Sequence, residues 1–202
     1  RMLWGFFKKL VIADRLAILV NTVYATPEQH TGIPLIIATY AFAFQIYCDF
    51  SAYSDIAIGA AKVMGFSLME NFQQPYYARS VPEFWRRWHM SLSTWFRDYL
   101  YIPLGGNRVP VPRWVINILL VFTISGLWHG ANWTFLVWGV LHGVLMLTAV
   151  AWQRWAGKDR LLKTVPPLLR HGAAIFTTFH LVTFAWIFFR ANSIDEAFFI
   201  VR

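Results

Sequence analysis

From residue 114 to residue 153 the chain carries not one Asp, Glu, Lys or Arg, a run of 40 residues. A soluble fold has no use for two consecutive apolar helices of that length, whereas roughly 20 apolar residues cross the hydrocarbon core of a bilayer. Composition agrees with a membrane setting. Of the 202 residues, 57% are hydrophobic and only 14% charged, against about a quarter charged in ordinary soluble domains. The 11 tryptophans point the same way, because an apolar ring with a polar edge suits the membrane–water boundary. The expected class is all-α, a multi-pass transmembrane helix bundle.

The net charge of +8 suggests a second class, nucleic-acid binding, which the charge distribution excludes. Nucleic-acid binders carry Lys and Arg on exposed polar surfaces. Here six of the 18 basic residues lie between Arg79 and Arg113, interleaved with Trp, Phe and Tyr. In a membrane protein such an excess in short loops marks the cytoplasmic side. The lipid bilayer is therefore the expected partner. The single Cys48 excludes an internal disulfide and argues against a thiolate metal cage. Both ends look cut. Arg1 leads straight into an apolar stretch without a signal-peptide pattern, and the sequence stops inside the amphipathic segment Ile194–Val201. The expectation is an internal piece of a longer protein.

Five membrane segments are expected. They are 10–24, broken by Asp14 and Arg15; 33–47, continuing into 48–66; 114–128; 133–152; and 172–189. A helix running through Asp49 and Asp55 brings carboxylates near or into the membrane, where they are costly and face the protein interior. Lys62 or arginines elsewhere are their expected partners. Residues 154–170 read as a basic loop with Pro166 and Pro167. Residues 82–104 form a different kind of element. At about 100° per residue, Trp85, Trp88, Leu92, Trp95, Phe96 and Tyr99 make one stripe. Glu83, Arg87, Ser91, Thr94 and Asp98 lie opposite. This is an amphipathic helix too polar to span, so it is expected to lie in the interface or re-enter the bundle. Pro103 and the Gly105–Gly106 pair end it.

Histidines dominate the search for chemistry. His129 sits in SGLWHGANW, in the middle of the charge-free run. An ionisable group at membrane depth is a functional candidate, and imidazole titrates near neutrality, which suits general acid–base work. Gly126 and Gly130 beside it allow a substrate or a neighbouring helix to approach closely. The alternative is a neutral histidine hydrogen-bonded between helices. His89 falls at the edge of the aromatic stripe, either pointing into the bundle or snorkelling to headgroups. His142 and His180 read as packing residues, and His30 and His171 lie in loops. No HExxH motif, phosphate loop or nucleophile elbow occurs, and no metal site is expected. A histidine-centred site is what the motifs leave, without naming a reaction.

PEFWRRWHMSLSTWFRDYLYIPLGGNR (82–108), followed by SGLWHGANWTFLVWGVLHG (125–143), resembles the membrane-bound O-acyltransferase family and, within it, the bacterial alginate O-acetylation branch. CDFSAYSDIAIGAAKVMGF (48–66) and residues 71–85 match the same branch, so the resemblance covers essentially the whole chain (1–202) as a partial domain. It implies a catalytic His129 and a second polar residue at His89. It also implies an acyl donor that is acetyl-CoA or another thioester, with no bound cofactor, and an exported polysaccharide as acceptor. Further implied are an inner-membrane location and partners that include an extracytoplasmic acetyltransferase and export proteins. Arg86, Arg87, Arg97 and Asn132 are the expected donor-binding residues, the arginines because a positive face attracts an anionic donor. They equally suit a purely topological role. A transporter or a non-catalytic scaffold of an export complex remains the rival reading, since intramembrane carboxylates and histidines also line transport paths.

Overall fold

A computed structural model describes residues 1–156 and 164–202. The middle of the basic segment 154–170 thus lies outside the described residues. Those residues are helical with short connectors and divide into two compact units, Arg1–Phe72 with Trp186–Arg202, and Gln73–Ala185.

In the first unit, α1 (Met2–Phe7) passes through a π-helical stretch, Lys8–Ala13, into α2 (Asp14–Ala25). This run packs on α3 (Ile33–Val63), a single 31-residue helix. Gly5 makes the close approach possible, since a Cβ there would lie 2.6 Å from Ile56 Cγ1 and 2.8 Å from the Ala52 carbonyl. The carboxylates of α3 are paired, Asp55 with an arginine elsewhere as expected, but both with lysines other than Lys62. Lys8 Nζ reaches Asp55 at 2.7 Å and Ser51 Oγ at 2.8 Å. Lys9 Nζ lies 2.8 Å from both Asp49 and Asp14, and Arg1 Nε lies 2.8 Å from Asp55. The cations come from the N-terminal helical run, not from Lys62. The π-helical stretch sets Lys8 and Lys9 at the level of these two carboxylates.

Among the described residues four helices are long and apolar enough to cross a membrane, α3, α6 (Val111–His129), α7 (Trp133–Ala156, over Trp133–Trp155) and α8 (Pro167–Arg190). The fifth expected segment, 10–24, is not among them. Its α-helical part has 12 residues, and Lys8, Lys9, Asp14 and Arg15 interrupt the longer helical run. The last turn of α8, from Trp186, belongs to the first unit, with α9 (Ile194–Val201). There Arg190 donates to Asn21 Oδ1 at 2.8 Å and lies over the Tyr24 ring.

The second unit contains the expected amphipathic helix in two pieces, α4 (Val81–Trp85) and α5 (Met90–Phe96), followed by a π-helical turn, Arg97–Tyr101. Ser80 caps α4 by accepting the Glu83 N–H at 3.3 Å, and Pro82 suits the first turn. The chain then breaks between Trp85 and Met90, so one helical plot does not hold across 82–104. Trp85, Trp88 and Phe96 are buried, but Trp95 and Tyr99 from the same expected stripe are exposed. The α6–α7 pair forms a tight hairpin. A Cβ on Gly126 would collide with the Phe135 carbonyl oxygen, and one on Gly139 with that of Phe122. Small residues at a crossing let helix backbones touch where no hydrophobic drive separates lipid from protein. The glycine beside His129 therefore serves helix approach.

Candidate active site

His129 is the last residue of α6. The turn that follows is short because Asn132 starts α7. Its Oδ1 accepts the Thr134 N–H at 3.2 Å and its carbonyl accepts the Phe135 N–H at 3.1 Å. Gly130 packs on Phe135, where a Cβ would lie 2.6 Å from the ring. The imidazole of His129 is thus fixed at a helix end and held between rings. It meets Trp138 edge-to-face at 5.1 Å, Trp128 edge-to-face at 5.0 Å, and Phe135 at 6.4 Å in a stacked arrangement.

His89 also lies near Trp128, with ring centroids 6.1 Å apart. It occupies the break between α4 and α5 at φ 44°, ψ 54°. A non-glycine residue in the left-handed region costs roughly 1–2 kcal/mol, and such outliers cluster where a side chain must be aimed. Nothing in the sequence announces this break, which contains neither Gly nor Pro. Burial pushes the His89 imidazole down to about 4, and the neighbouring His129 acts in the same direction. It is neutral at pH 7, with one ring nitrogen donating and the other accepting.

A third histidine lies deeper. His142 on α7 is fully buried, with ring centroids 4.9 Å from Trp138, 5.0 Å from Trp85, and 6.4 Å from both Phe84 and Phe122. The enclosing rings come from α4, α6 and α7. Trp138 touches both His129 and His142, yet sequence reasoning did not single it out. One tryptophan among 11 carries no mark of its own. His180 lies on α8, where its Nδ1 is 2.7 Å from the Phe176 carbonyl oxygen. Among the described residues no group of three or more metal-ligating side chains occurs.

Beside the histidines lies a cavity of about 450 Å³, whose wall includes Trp85, Met90, Phe96, Phe122, Ser125 and Met146. Met90 adjoins His89, and Ser125 lies one helical turn before His129. Arg86 and Arg97 reach the rim, with Arg97 exposed and paired to Asp98 at 2.7 Å. Arg87 is drawn elsewhere, to Glu83 at 2.6 Å. The Trp85 indole nitrogen is buried without a hydrogen-bond partner among the described residues. The arrangement provides two imidazoles near one another, an aromatic wall, and a mostly apolar space beside Met90 and Ser125. This suits proton transfer to or from a small reacting group.

Residues 2–192 match the sequence pattern of MBOAT, the membrane-bound O-acyltransferase family. The chain belongs to that family. It is a multi-pass membrane protein of the family, as its four long apolar helices indicate. It is 47% identical over 98% of its length to the protein named probable alginate O-acetylase AlgI in Azotobacter vinelandii. It is 41% identical over 96% to a peptidoglycan O-acetyltransferase of Helicobacter pylori, and 32% identical over 92% to a teichoic acid D-alanyltransferase of Streptococcus thermophilus. The chain spans 38%, 36% and 49% of these relatives respectively. The residues matched in this family member include every part of the site above, from His89 to His142.

Proposed function

We propose that this chain carries the reaction centre of an O-acyltransferase of the inner membrane, moving an acetyl group from a thioester donor towards a hydroxyl of an exported polysaccharide. The observation that supports this most is the pair of histidines about Trp128, one at a helix end and one at a strained break. In this reading His129 accepts the proton of the acceptor hydroxyl as its oxygen attacks the thioester carbonyl. A hydroxyl is a poor nucleophile until a base does this. An N–H of His89 faces the oxyanion of the tetrahedral intermediate. Collapse of that intermediate breaks the C–S bond, and the proton held by His129 passes to the leaving thiolate. The cavity beside Met90 and Ser125 takes the acyl end of the donor. Arg86 and Arg97 at its rim attract the donor's negative charge, and Asn132 shapes the turn that presents His129. The relatives' names describe alginate, peptidoglycan and teichoic acid as acceptors in those proteins. An extracytoplasmic acetyltransferase and export proteins fit as partners in the same reading.

The test is His129→Ala in the full-length protein, with acetate esters measured on the cell's exported polysaccharide. Stable insertion with loss of esters is expected. Undiminished esterification would instead leave His129 as interhelical packing.

A further inference from the structure

The second unit contains another cavity, of about 620 Å³, and its character is different. Arg79, Arg86, Arg87, Arg170 and His171 line it, with Glu83 its one carboxylate. Of the five basic residues, Arg79, Arg170 and His171 form no part of the donor-binding set expected from sequence. Glu83 receives Arg87 Nη2 at 2.6 Å and Arg79 Nε at 3.4 Å. Burial works to raise the Glu83 carboxyl, but the Arg79 N–H and the two guanidinium charges outweigh it and hold the group below its ordinary range. Glu83 is thus ionised, and one charge orders two arginines. Arg86 and Arg170 take no part in the ion pairs that hold Arg79 and Arg87 to Glu83. Among the described residues that line the cleft, four guanidinium groups thus share the space with one carboxylate.

Depth narrows what can fill it. Gln153 also lines the cleft and lies between Trp152 and Trp155, both exposed and 4.9 Å apart. Exposed tryptophans at the end of an apolar helix mark the headgroup level. Guanidinium forks fit phosphate oxygens two bonds at a time, which a neutral hydroxyl or a single carbonyl does not reward. Basic pockets between helices at that level suit phosphate headgroups.

We infer that the cleft between Arg79, Arg86, Arg87, Arg170 and His171 is a phosphate-binding site at the membrane surface. Its occupant is the phosphate of a bilayer phospholipid or of a soluble phosphorylated ligand. The inference rests on the cleft alone and stands whether or not His129 is catalytic.

Full-length protein, delipidated in a neutral detergent, is titrated with inorganic pyrophosphate by calorimetry. Saturable binding is expected, weakened about tenfold or more by Arg86→Gln with Arg170→Gln, as for loss of charge-assisted bonds. Arg113→Gln, an exposed arginine outside the cleft, controls for net charge and leaves binding unchanged. Melting temperature and elution volume check the double variant's fold, and Arg170→Gln alone serves if it aggregates. Nanodiscs then separate the sources. Pyrophosphate binding that disappears when phosphatidylglycerol replaces phosphatidylcholine assigns the cleft to a lipid headgroup, and binding that persists assigns it to a soluble ligand. No saturable binding by the delipidated protein, or equal binding by the double variant, overturns the inference.

Discussion

The two units treat polar groups in opposite ways. In the first, each buried or half-buried charge of the α1–α3 interface has a counter-charge. Lys8 is matched with Asp55, and Lys9 with Asp49 and Asp14. In the second, the imidazoles of His129 and His142 are held by aromatic rings, and the arginines of the basic cleft outnumber its carboxylate. Mutual neutralisation consumes the polar groups of the first unit in holding helices together. A charged residue at membrane depth is thus not in itself a site.

The largest effect that could break this contrast belongs to the first unit. Lys8→Met leaves Asp55 with Arg1 alone in a largely buried setting, and removing one partner of a buried pair costs about 3–5 kcal/mol. A melting experiment on the full-length protein should show that loss, and Asp55→Asn added to Lys8→Met should recover much of it. A Lys8→Met protein that melts normally but turns over poorly would move Lys8 into the functional class.

Next is the hairpin that positions His129. Gly126→Leu must push α7 away from α6, and overpacking of this kind costs about 1–3 kcal/mol. Turnover should fall along with stability, whereas Gly172→Leu, where a Cβ would meet no atom within 4 Å, should be silent. Equal behaviour of the two would separate the hairpin's packing from the site.

His89→Gly sharpens the comparison in the opposite direction. Glycine adopts φ 44° without the left-handed penalty, so the variant should be more stable by about 1 kcal/mol while turnover collapses. A variant that is both less stable and fully active would make His89 a structural residue.

A further comparison concerns pH dependence. The folded-state value of His89, about 4, lies below its ordinary value near 6.5. As pH falls below about 6.5 the unfolded chain takes up this proton first. The associated stability is therefore complete above that pH and lost progressively down to about 4. The difference in melting temperature between wild type and His89→Gln should follow that window. A flat difference would place His89 in solvent.

Much of the architecture could be read from sequence. The charge-free run at 114–153 announces α6 and α7 and their turn to within a few residues, because bilayer length and apolar composition are local properties. The continuity of α3 through Asp49 and Asp55 was legible for the same reason. The partners of those carboxylates were not, since Lys8 and Lys9 lie about 40 residues or more away in sequence, and pairing at that distance is decided by packing. The break at His89 was equally hidden. The local pattern favours an unbroken amphipathic helix, and only tertiary contacts with Trp128 and the buried Trp85 and Trp88 override it. His129 and His89 were each visible as candidates. Their approach through Trp128, and the place of Trp138 between two histidines, depend on how α4, α6 and α7 pack.

The most direct measurement is a mutant cycle in the purified full-length protein, following thioester consumption with an added acceptor. His129→Ala and His89→Ala should each lower turnover by about 10²–10⁴-fold. The double variant should fall little below the worse single one, as for groups that act as a unit. Losses that simply multiply, or a His129→Ala protein that retains turnover, would contradict a shared reaction centre.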